Sequence, residues 1–463
     1  MKENEAGFYS PHIAMDLCVD CSLCAKTCPE ANPVQKFPQG KCMAVWAEDD
    51  VRLVSSSGGA FTVLAREIFH RGGKACGAAF DESWTVMHIL ADNEEGLARL
   101  QGSKYVQSFV SETLYRDIKN LLKGGTWVLF AGTPCQVAAL KKFMGKDYPT
   151  LLTVDLICSK VPPKRMLDRF LDESYTMQDI RKVEFRSKAN GCSATTTTTT
   201  TTTDDAYFRM FLSSLSMNDS CVTCKYASVQ RVGDLTIGDF WRIRRFAPEL
   251  DDDKGTSVVL INSSAGMRFF NNLEWKMCQE RPVENTVHGQ RVLTAPFVPH
   301  QNRRFFAECV MQNGFHKAVD EALDSKRNVG ILNWWWNSNR GAILTCYALQ
   351  ELIKELEYNP TVINYIPWIY YKKHYVGSIS QKFADKYFNI SRYVHMHSDM
   401  RSLNNQFHIF TTGSDQIWNN ELNRWNSDFY YLDFAEIQKK ENCGLGVFRY
   451  RQFQISTKSA KTA

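Results

Sequence analysis

The segment "TWVLFAGTPCQVAALKKFMGKDYPTLLTVDLICSK" limits the possible folds of this chain more than any other stretch. Its apolar pattern predicts a strand over 126–131, a helix over 134–144 and a second strand over 151–158. A strand–helix–strand crossover of this length joins parallel strands, because a tight turn joins only antiparallel ones. We therefore predict a multidomain chain of the α/β (mixed α+β) class.

Four cysteines near the start, Cys18, Cys21, Cys24 and Cys28, follow the ferredoxin pattern C-x-x-C-x-x-C-x-x-x-C-P. Three closely spaced cysteines wrap one cubane cluster, and in two-cluster ferredoxins the fourth cysteine binds the other cluster. Zinc sites more commonly use paired C-x-x-C knuckles, so zinc and unliganded thiols are the weaker alternatives. The pattern predicts a partial 4Fe–4S ferredoxin-type segment over 1–38.

A second group of cysteines has to be assembled from distant segments. Cys135 follows the first predicted strand of the crossover, and Cys158 lies at the same end of the second strand. Ligand sites of parallel sheets gather at this edge, so we expect the two to be neighbours. "CVTCKYA" adds Cys221 and Cys224, which alone fit a redox pair, a zinc knuckle or buried thiols. Together the four favour a four-thiolate site, with iron–sulfur preferred because a ferredoxin run is present.

Two turns rich in serine and glycine are candidate anion sites. "SSSGGAF" (55–61) begins a predicted helix, whose exposed amides and positive dipole end favour an anion. "GSKYVQS" (102–108) adds Lys104 and hydroxyl groups. Each string alone fits an ordinary helix cap or turn equally well. Further along, nine threonines (195–203) fit either an exposed strand or a low-complexity loop.

Length and composition set the broad class. A chain of 463 residues predicts two to four domains, and 44% hydrophobic with 23% charged residues is globular. The net charge of +5 is dispersed and predicts no nucleic-acid partner. Neither a signal peptide nor an apolar run of about 18 to 20 residues occurs, so we predict a cytoplasmic protein without a transmembrane segment. There, fifteen cysteines are ligands, redox groups or buried thiols rather than disulfides.

Seven strings occur in a characteristic order: "SSSGGAF", "GSKYVQS", "LFAGTPCQVAAL", "LTVDLICSKVPP", "FRSKANG", "CVTCKY" and "RVGDLTIGDFW". This order resembles the beta-subunit family of the deazaflavin-coenzyme (factor four-twenty) hydrogenases and dehydrogenases, over roughly residues 1–300. The resemblance implies a flavin-binding reductase domain over 42–325 that normally binds FAD. It also implies 4Fe–4S clusters that exchange electrons with the flavin, and a deazaflavin or another hydride acceptor at the flavin face.

The resemblance also implies roles for individual residues, although no catalytic residue can be named. The ligands of the inner cluster would be Cys135, Cys158, Cys221 and Cys224. The flavin and phosphate pocket would be lined by Ser57, Gly58, Gly59, Ser103, Lys104 and Thr133. Asp234 and Asp239 fall in a family motif without an assigned role. Where the family often has "CHGVPS" this chain has "CSKVPP", so Ser159 and Lys160 alter the flavin or substrate side of the site.

The N-terminal run departs from relatives that carry two ferredoxin motifs. "GFYSP" resembles their linker, so the chain corresponds to the second motif alone and one or two clusters are expected. Three cysteines then lack their usual fourth ligand. Either Cys28 or Cys42 substitutes after local rearrangement, or the cluster is a labile three-cysteine one, or the sequence starts inside a longer reading frame.

From about 326 the strand and helix pattern restarts and predicts a Rossmann-like half-domain over 326–440, followed by a disordered tail over 441–463. "NVGILNWWWNSNRGAILTCYALQELIKEL" and "IFTTGSDQIWN" resemble the beginning of polysaccharide pyruvyl transferases, which move a pyruvyl group from phosphoenolpyruvate to a sugar. The matching motif residues are Asn339, Gly341, Ser414, Asp415 and Gln416. Only the first half of that two-domain fold fits in 326–440, so we expect no transfer by this module alone.

These expectations combine into one functional hypothesis. The protein is an iron–sulfur flavoprotein oxidoreductase that moves electrons between 4Fe–4S clusters and FAD, linked to cell-surface polysaccharide synthesis. Its partners would be a redox protein such as ferredoxin or a hydride carrier, and a small-molecule or sugar-linked substrate. The alternatives are a pyruvyl transferase with a redox accessory domain, a non-catalytic electron relay, and a decayed reading frame.

Overall fold

A computed structural model describes residues 2–4, 6–111, 113–187, 191–196, 206–300, 302–324, 328–336, 339–356, 358–366, 377–394, 397–413, 430, 432 and 434–435. The chain divides into two compact units, Met1–Pro299 and His300–Ala463. Most of the threonine run (197–203), the motif residues Ser414, Asp415 and Gln416, and the tail over 441–463 lie outside the described residues. The predictions made for them therefore stay predictions.

The elements are numbered in chain order. The strands are β1 Lys2–Glu3, β2 Tyr9–Ser10, β3 Lys41–Trp46, β4 Lys74–Phe80, β5 Val86–Ala91, β6 Ser108–Phe109, β7 Val128–Gly132, β8 Leu151–Leu156, β9 Ile180–Ser187, β10 Gly191–Thr196, β11 Leu235–Asp239, β12 Ser257–Ile261, β13 Met277–Arg281, β14 Asn328–Ile331, β15 Asn359–Val362 and β16 Ile409–Thr411. The helices are α1 Leu23–Thr27, α2 Asp49–Leu53, α3 Ala60–His70, α4 Glu94–Leu100, α5 Leu114–Lys123, α6 Pro134–Met144, α7 Lys164–Ser174, α8 Ala206–Ser213, α9 Asp219–Val222, α10 Ser264–Phe270, α11 Val283–Gly289, α12 Arg303–Asn313, α13 Phe315–Leu323, α14 Arg340–Glu355, α15 Ile379–Tyr387 and α16 His397–Ser402.

The first unit is built on a nine-stranded mixed sheet with the order β13-β3-β12-β11-β8-β7-β4-β5-β6. Its centre is parallel, since β4 pairs with β7, β7 with β8 and β8 with β11 in that sense. The strands β12, β3 and β13 extend one edge with antiparallel pairing. The predicted α/β (mixed α+β) class is confirmed, and the predicted crossover is the β7–α6–β8 unit.

Helix α6 has the predicted bounds because local signals mark both of its ends. Thr133 is the N-cap, and Pro134 takes the first helical position, where a missing N–H costs nothing. Gly145 ends the helix with a φ of 72°, a left-handed conformation that glycine adopts without strain. Between these ends, Val137, Leu140 and other apolar side chains pack against the sheet.

Both faces of the central sheet are buried. Along β7, Leu129 belongs to the apolar cluster that includes α3, while Val128 and Phe130 belong to the cluster that includes α5 and α6. Successive side chains of a strand point to opposite faces, so a parallel strand covered on both sides is apolar at every position. This is why "VLFAG" lacks the alternation of a half-exposed strand.

Helix α3 confirms the predicted amphipathic helix after "SSSGG". Leu64 and Ile68 are fully buried, and Phe61 and Phe69 pack partly buried against the same cluster. The predicted strands in "KACGAAF" and "WTVMHILAD" are β4 and β5, which pair antiparallel.

The second unit contains a three-stranded parallel sheet with the order β15-β14-β16. Helix α14 connects β14 to β15, which gives the Rossmann-like strand–helix–strand pattern predicted for this region. Helices α12 and α13 belong to this unit. The Asn302 amide donates to the Ala322 carbonyl at 2.7 Å and to Asn328 Oδ1 at 2.9 Å, which links the end of α13 to the start of β14.

No described helix has both the length and the apolar character that a membrane span requires.

Candidate functional site

A cleft of about 1240 Å³ lies at the carboxyl ends of the central parallel strands of the first unit. Its walls include Thr133 after β7, Ile157 and Cys158 after β8, and Gly238 and Asp239 at the end of β11. Parallel strands end at the same edge of a sheet, so the loops that follow them meet there. The cleft is larger than the roughly 300–1,000 Å³ typical of a drug-sized ligand, and it can accept an extended cofactor.

Four free thiols gather at this edge: Cys135, Cys158, Cys221 and Cys224. Cys135 is the second residue of α6, Cys158 follows β8, and the C-x-x-C pair lies in and just after α9. Burial raises the pKa of Cys158 well above its usual value, and the charges of the other three thiolates raise it further. We call this set the inner thiols.

Backbone hydrogen bonds hold the C-x-x-C segment beside Cys158. The Asn218 N–H donates to the Val161 carbonyl at 3.0 Å, and the Cys221 N–H donates to the Asn218 carbonyl at 2.9 Å. Burial, with the charges of neighbouring thiolates, raises the pKa of Cys221 to about 11. Cys135 lines the cleft, and solvent reaches it from there. The protein packed around its sulfur still removes enough water to raise the pKa of the thiol.

The donor set suits an iron–sulfur cluster, because all four candidate ligands are thiols. The inner thiols lie within range of one another's charge. Tetrahedral zinc needs all four sulfurs at about 2.3 Å from one ion. A cubane takes one thiolate at each iron, so its four ligands surround a larger space.

Lys160 places a buried cation beside the inner thiols. Its Nζ lies 4.6 Å from the ring centroid of Phe211 and 4.3 Å from that of Phe297. Burial lowers its pKa to about 8, while the thiolates of Cys158 and Cys221 act in the opposite direction. The departure from the family's "CHGVPS" therefore lies in the wall of the cleft.

The N-terminal run is much more open than the inner thiols. Cys18, Cys21 and Cys24 are exposed and Cys28 is half-buried at the end of α1. Cys42 lies in β3, 1% exposed, with Sγ 3.2 Å from Thr286 Oγ1. The thiol packs in an apolar cluster with Phe240 and Leu260 on one face of the sheet, so the hypothesis that Cys42 replaces a missing cluster ligand gains no support.

The end of the run contacts the C-x-x-C segment. Lys225 Nζ lies 2.7 Å from Glu30 Oε2 and donates to the Glu30 carbonyl at 2.8 Å. Tyr226 is buried, and its phenol pKa is raised by that burial and then by the charges of Cys135, Glu30, Cys224 and Cys28. Its ring therefore lies within reach of both cysteine groups, a placement that no sequence motif indicated.

The two serine–glycine turns meet at the cleft. Ser56 Oγ accepts hydrogen bonds from the Ser103 N–H at 3.0 Å and from Ser103 Oγ at 3.2 Å. A Cβ on Gly58 would lie 2.4 Å from the Ser257 amide nitrogen, so only glycine fits there. Ser57 Oγ donates to the Thr256 carbonyl at 2.9 Å, which anchors the turn to the start of β12.

Lys104 lines the cleft, but its ammonium group is already bonded to backbone. Nζ donates to three carbonyls at the end of α4, those of Arg99 at 3.1 Å, Leu100 at 3.1 Å and Gln101 at 2.6 Å. Burial lowers its pKa to about 7, while the carbonyls favour the charged form. All three N–H donors are used in this way, so the cation closes α4 and holds the turn.

Thr133 positions Cys135. Its N–H and Oγ1 both donate to Gln136 Oε1 at 3.0 Å, and Oγ1 lies 3.1 Å from Cys135 Sγ. Gln136, which sequence reasoning missed, also donates through Nε2 to Ser108 Oγ at 2.9 Å. The turn after β7 is thus joined to β6 across the cleft.

The two aspartates of "GDLTIGDFW" have different surroundings. Asp234 is buried, where it accepts from the Thr153 N–H at 3.0 Å and from Ser263 Oγ at 2.6 Å, and it is a structural residue. Asp239 lines the cleft at the end of β11. His88 in β5, also missed, lines the cleft while its Nε2 donates to the Ala131 carbonyl at 3.2 Å.

In the second unit, Asn339 caps α14. Its Oδ1 accepts from the Gly341 N–H at 3.0 Å and from the Ala342 N–H at 3.4 Å. The structure gives these two motif residues, Asn339 and Gly341, a local helix-capping role.

Comparison with known proteins gives one family match. Residues 125–285 match the family model for the C terminus of the coenzyme F420 hydrogenase/dehydrogenase beta subunit. This segment is related to that domain. The matched span includes all four inner thiols, and no curated protein matches the chain. Among solved structures, a chain of the F420-reducing NiFe hydrogenase complex from Methanosarcina barkeri is 17% identical. That match covers 63% of this chain and 92% of the other, with a TM-score of 0.39.

Proposed function

We propose that this protein is an iron–sulfur flavoprotein oxidoreductase. A 4Fe–4S cluster bound by the inner thiols would exchange electrons with an FAD held in the adjoining cleft. The observation that carries the proposal is the gathering of four thiols from three segments, all within the family-matched span, at one edge of the sheet beside the cleft. When bound, the cluster supplies one-electron transfer and the flavin links it to hydride chemistry.

The residues of the cleft suit such a cofactor. The turn at Gly58 and Gly59 packs closely on the protein behind it, where a Cβ would overlap Ser257 or Ala47. Gly59 lines the cleft, and α3 begins directly after it with its positive dipole end. Phe208, Phe211 and Phe297 contribute apolar surface to the lining of the cleft. Lys160 supplies a positive charge that offsets the charge of the thiolates.

The proposal extends to partners and setting. The electron partner would be a ferredoxin or a hydride carrier, a deazaflavin among them, and the final substrate a small or sugar-linked molecule. The N-terminal run would hold a further cluster near the inner thiols, since Lys225 and Glu30 join the two segments. The link to cell-surface polysaccharide synthesis rests on the pyruvyl-transferase resemblance of the C-terminal part, and we propose a cytoplasmic location.

Anaerobic purification with measurement of iron, acid-labile sulfide and flavin per chain tests the proposal. About eight irons and one flavin would mean that both clusters assemble, and about four would mean the inner cluster alone. Replacing Cys158 by serine should remove about four irons. Cys278, an exposed thiol on β13, is the matched control, and Cys278→Ser should change nothing.

Two results would reject the proposal: neither iron nor flavin after reconstitution, or full iron in Cys158→Ser. Direct reduction of the bound flavin by a hydride donor separates a reductase from a relay that only passes electrons on.

A further inference from the structure

We propose that Arg231 is a positioning residue that holds the two cysteine-bearing loops of the inner thiol site in register. This inference rests on the proposed function, because it concerns the same four ligands. Arg231 is the first residue of "RVGDLTIGDFW", and the sequence alone assigned it no role.

The guanidinium group bonds to both cysteine-bearing segments. Nη1 donates to the carbonyls of Tyr226 at 3.1 Å and Ser228 at 3.2 Å, in the loop that follows Cys224. Nη2 donates to the Leu156 carbonyl at 2.8 Å, two residues before Cys158. One buried side chain thus connects the C-x-x-C loop to the end of β8.

Asp155 fixes the guanidinium in place. Arg231 Nη2 and Nε donate to Asp155 Oδ1 at 2.8 and 3.1 Å, and Oδ2 accepts from the Val232 and Gly233 N–H groups at 3.1 and 2.8 Å. Thr236 Oγ1 also donates to Asp155 Oδ1, at 2.6 Å. The arginine is 2% and the aspartate 0% exposed, so the pair is compensated entirely within the protein.

The geometry requires arginine. The planar guanidinium presents donors in fixed directions, and here they reach a carboxylate, a strand end and a loop at once. A lysine ammonium has three donors on one atom and cannot span the same set. Stability alone does not explain the buried Arg231–Asp155 pair, because apolar residues of similar volume often stabilise a protein core equally well.

The test uses the full chain reconstituted anaerobically with ferrous iron and sulfide. Arg231→Lys is compared with wild type and with Asp234→Asn, a matched control in which a buried carboxylate of the same sheet loses charge without contacting the cysteine loops. We measure iron per chain, the rate of iron loss to a chelator and the electron paramagnetic resonance spectrum of the reduced protein. Melting of the apo-protein reports the loss of stability.

Arg231→Lys should lose iron at least about tenfold faster than wild type and change the spectrum of the inner cluster, as outer-shell substitutions at metal sites do. Asp234→Asn, at a comparable fall in melting temperature, should keep the wild-type rate and spectrum. Equal rates and spectra for Arg231→Lys and wild type would overturn the inference, and so would equal losses in both variants. Wild type without iron would instead reject the proposed function, and the inference with it.

If Arg231→Lys fails to fold, hydrogen exchange of the wild-type protein tests the inference instead. In wild-type apo-protein, the Val232 and Gly233 amides, both bonded to Asp155, should exchange with deuterium slowly. Fast exchange there would show that no preformed connection exists and would also overturn the inference.

Discussion

At the scale of single residues, His88 shows how burial beside the cleft controls protonation. The ring is 4% exposed and lies 5.5 Å from the ring of Phe130, measured between centroids. Burial lowers its pKa from 6.5 to about 4. Between pH 6.5 and 4 the imidazole is protonated in the unfolded chain but stays neutral in the folded chain. The free energy of unfolding therefore falls as the pH drops from 6.5 toward 4.

We therefore expect the melting temperature of the first unit to fall over that pH range, with His88 contributing up to ~3 kcal/mol. Replacing His88 by glutamine keeps a donor for the Ala131 carbonyl and removes the titration, so the variant should lose less stability on acidification. His300, whose pKa burial also lowers to about 4, belongs to the second unit and should lower the stability of that unit over the same pH range. The exposed His70 is the control, and identical pH curves for His88→Gln and wild type would contradict the prediction.

Arg231 and Asp155 show what residue-level pattern reading misses. Both lie in strings that carry the family resemblance, but nothing in those strings pairs them, and the two residues lie 76 positions apart in the chain. Lys104 illustrates the converse. The sequence around it suggests an anion contact, whereas the structure uses its charge on the carbonyls at the end of α4.

At the scale of secondary-structure elements, the turn that starts α3 can be tested with two glycines of nearly the same backbone conformation. Gly59 has φ 87° and Gly102 has φ 81°. A Cβ on Gly59 would lie 2.7 Å from the Ala47 Cβ, whereas a Cβ on Gly102 would meet nothing within 4 Å. Both positions therefore require a left-handed backbone, and only Gly59 is also closely packed.

Gly102→Ala should cost about 1–2 kcal/mol, the penalty of a left-handed alanine. Gly59→Ala should cost that and about 1–3 kcal/mol more, because the added methyl overpacks the contact with Ala47. Urea denaturation of the first unit, followed on the apo-protein, measures both. Equal losses for the two variants would mean that the turn relaxes away from Ala47 and that its close packing is not required.

Element bounds were the most predictable part of the fold because their signals are local. Proline, glycine and an uninterrupted apolar strand define the β7–α6–β8 unit within 35 residues of sequence. The antiparallel edge of β12, β3 and β13 was not foreseen, since β3 pairs with strands more than 200 positions later. Such pairing depends on which surfaces remain uncovered once the centre of the sheet has formed.

At the scale of the whole molecule, the candidate ligands and every cleft-lining residue belong to Met1–Pro299. We therefore expect a chain of residues 1–299 to bind as much iron and flavin as the full chain, since its sheet and the three apolar clusters described for it lie within that range. Iron, sulfide and flavin analysis of the two proteins measures this. A shortened chain with native circular dichroism but without cofactors would show that the second unit contributes to the site.

The sequence by itself determined the class of the fold, the position of the crossover and the edge where ligands gather, because strand period, helix caps and the direction of parallel strands are local properties. The tertiary structure alone decided how those side chains are held and which other groups surround them. It joins the C-x-x-C loop to the end of β8 through Arg231, buries Cys42 against Thr286 and commits Lys104 to a helix end. These placements follow from buried polar groups needing partners, and only the folded chain determines which partners are within reach.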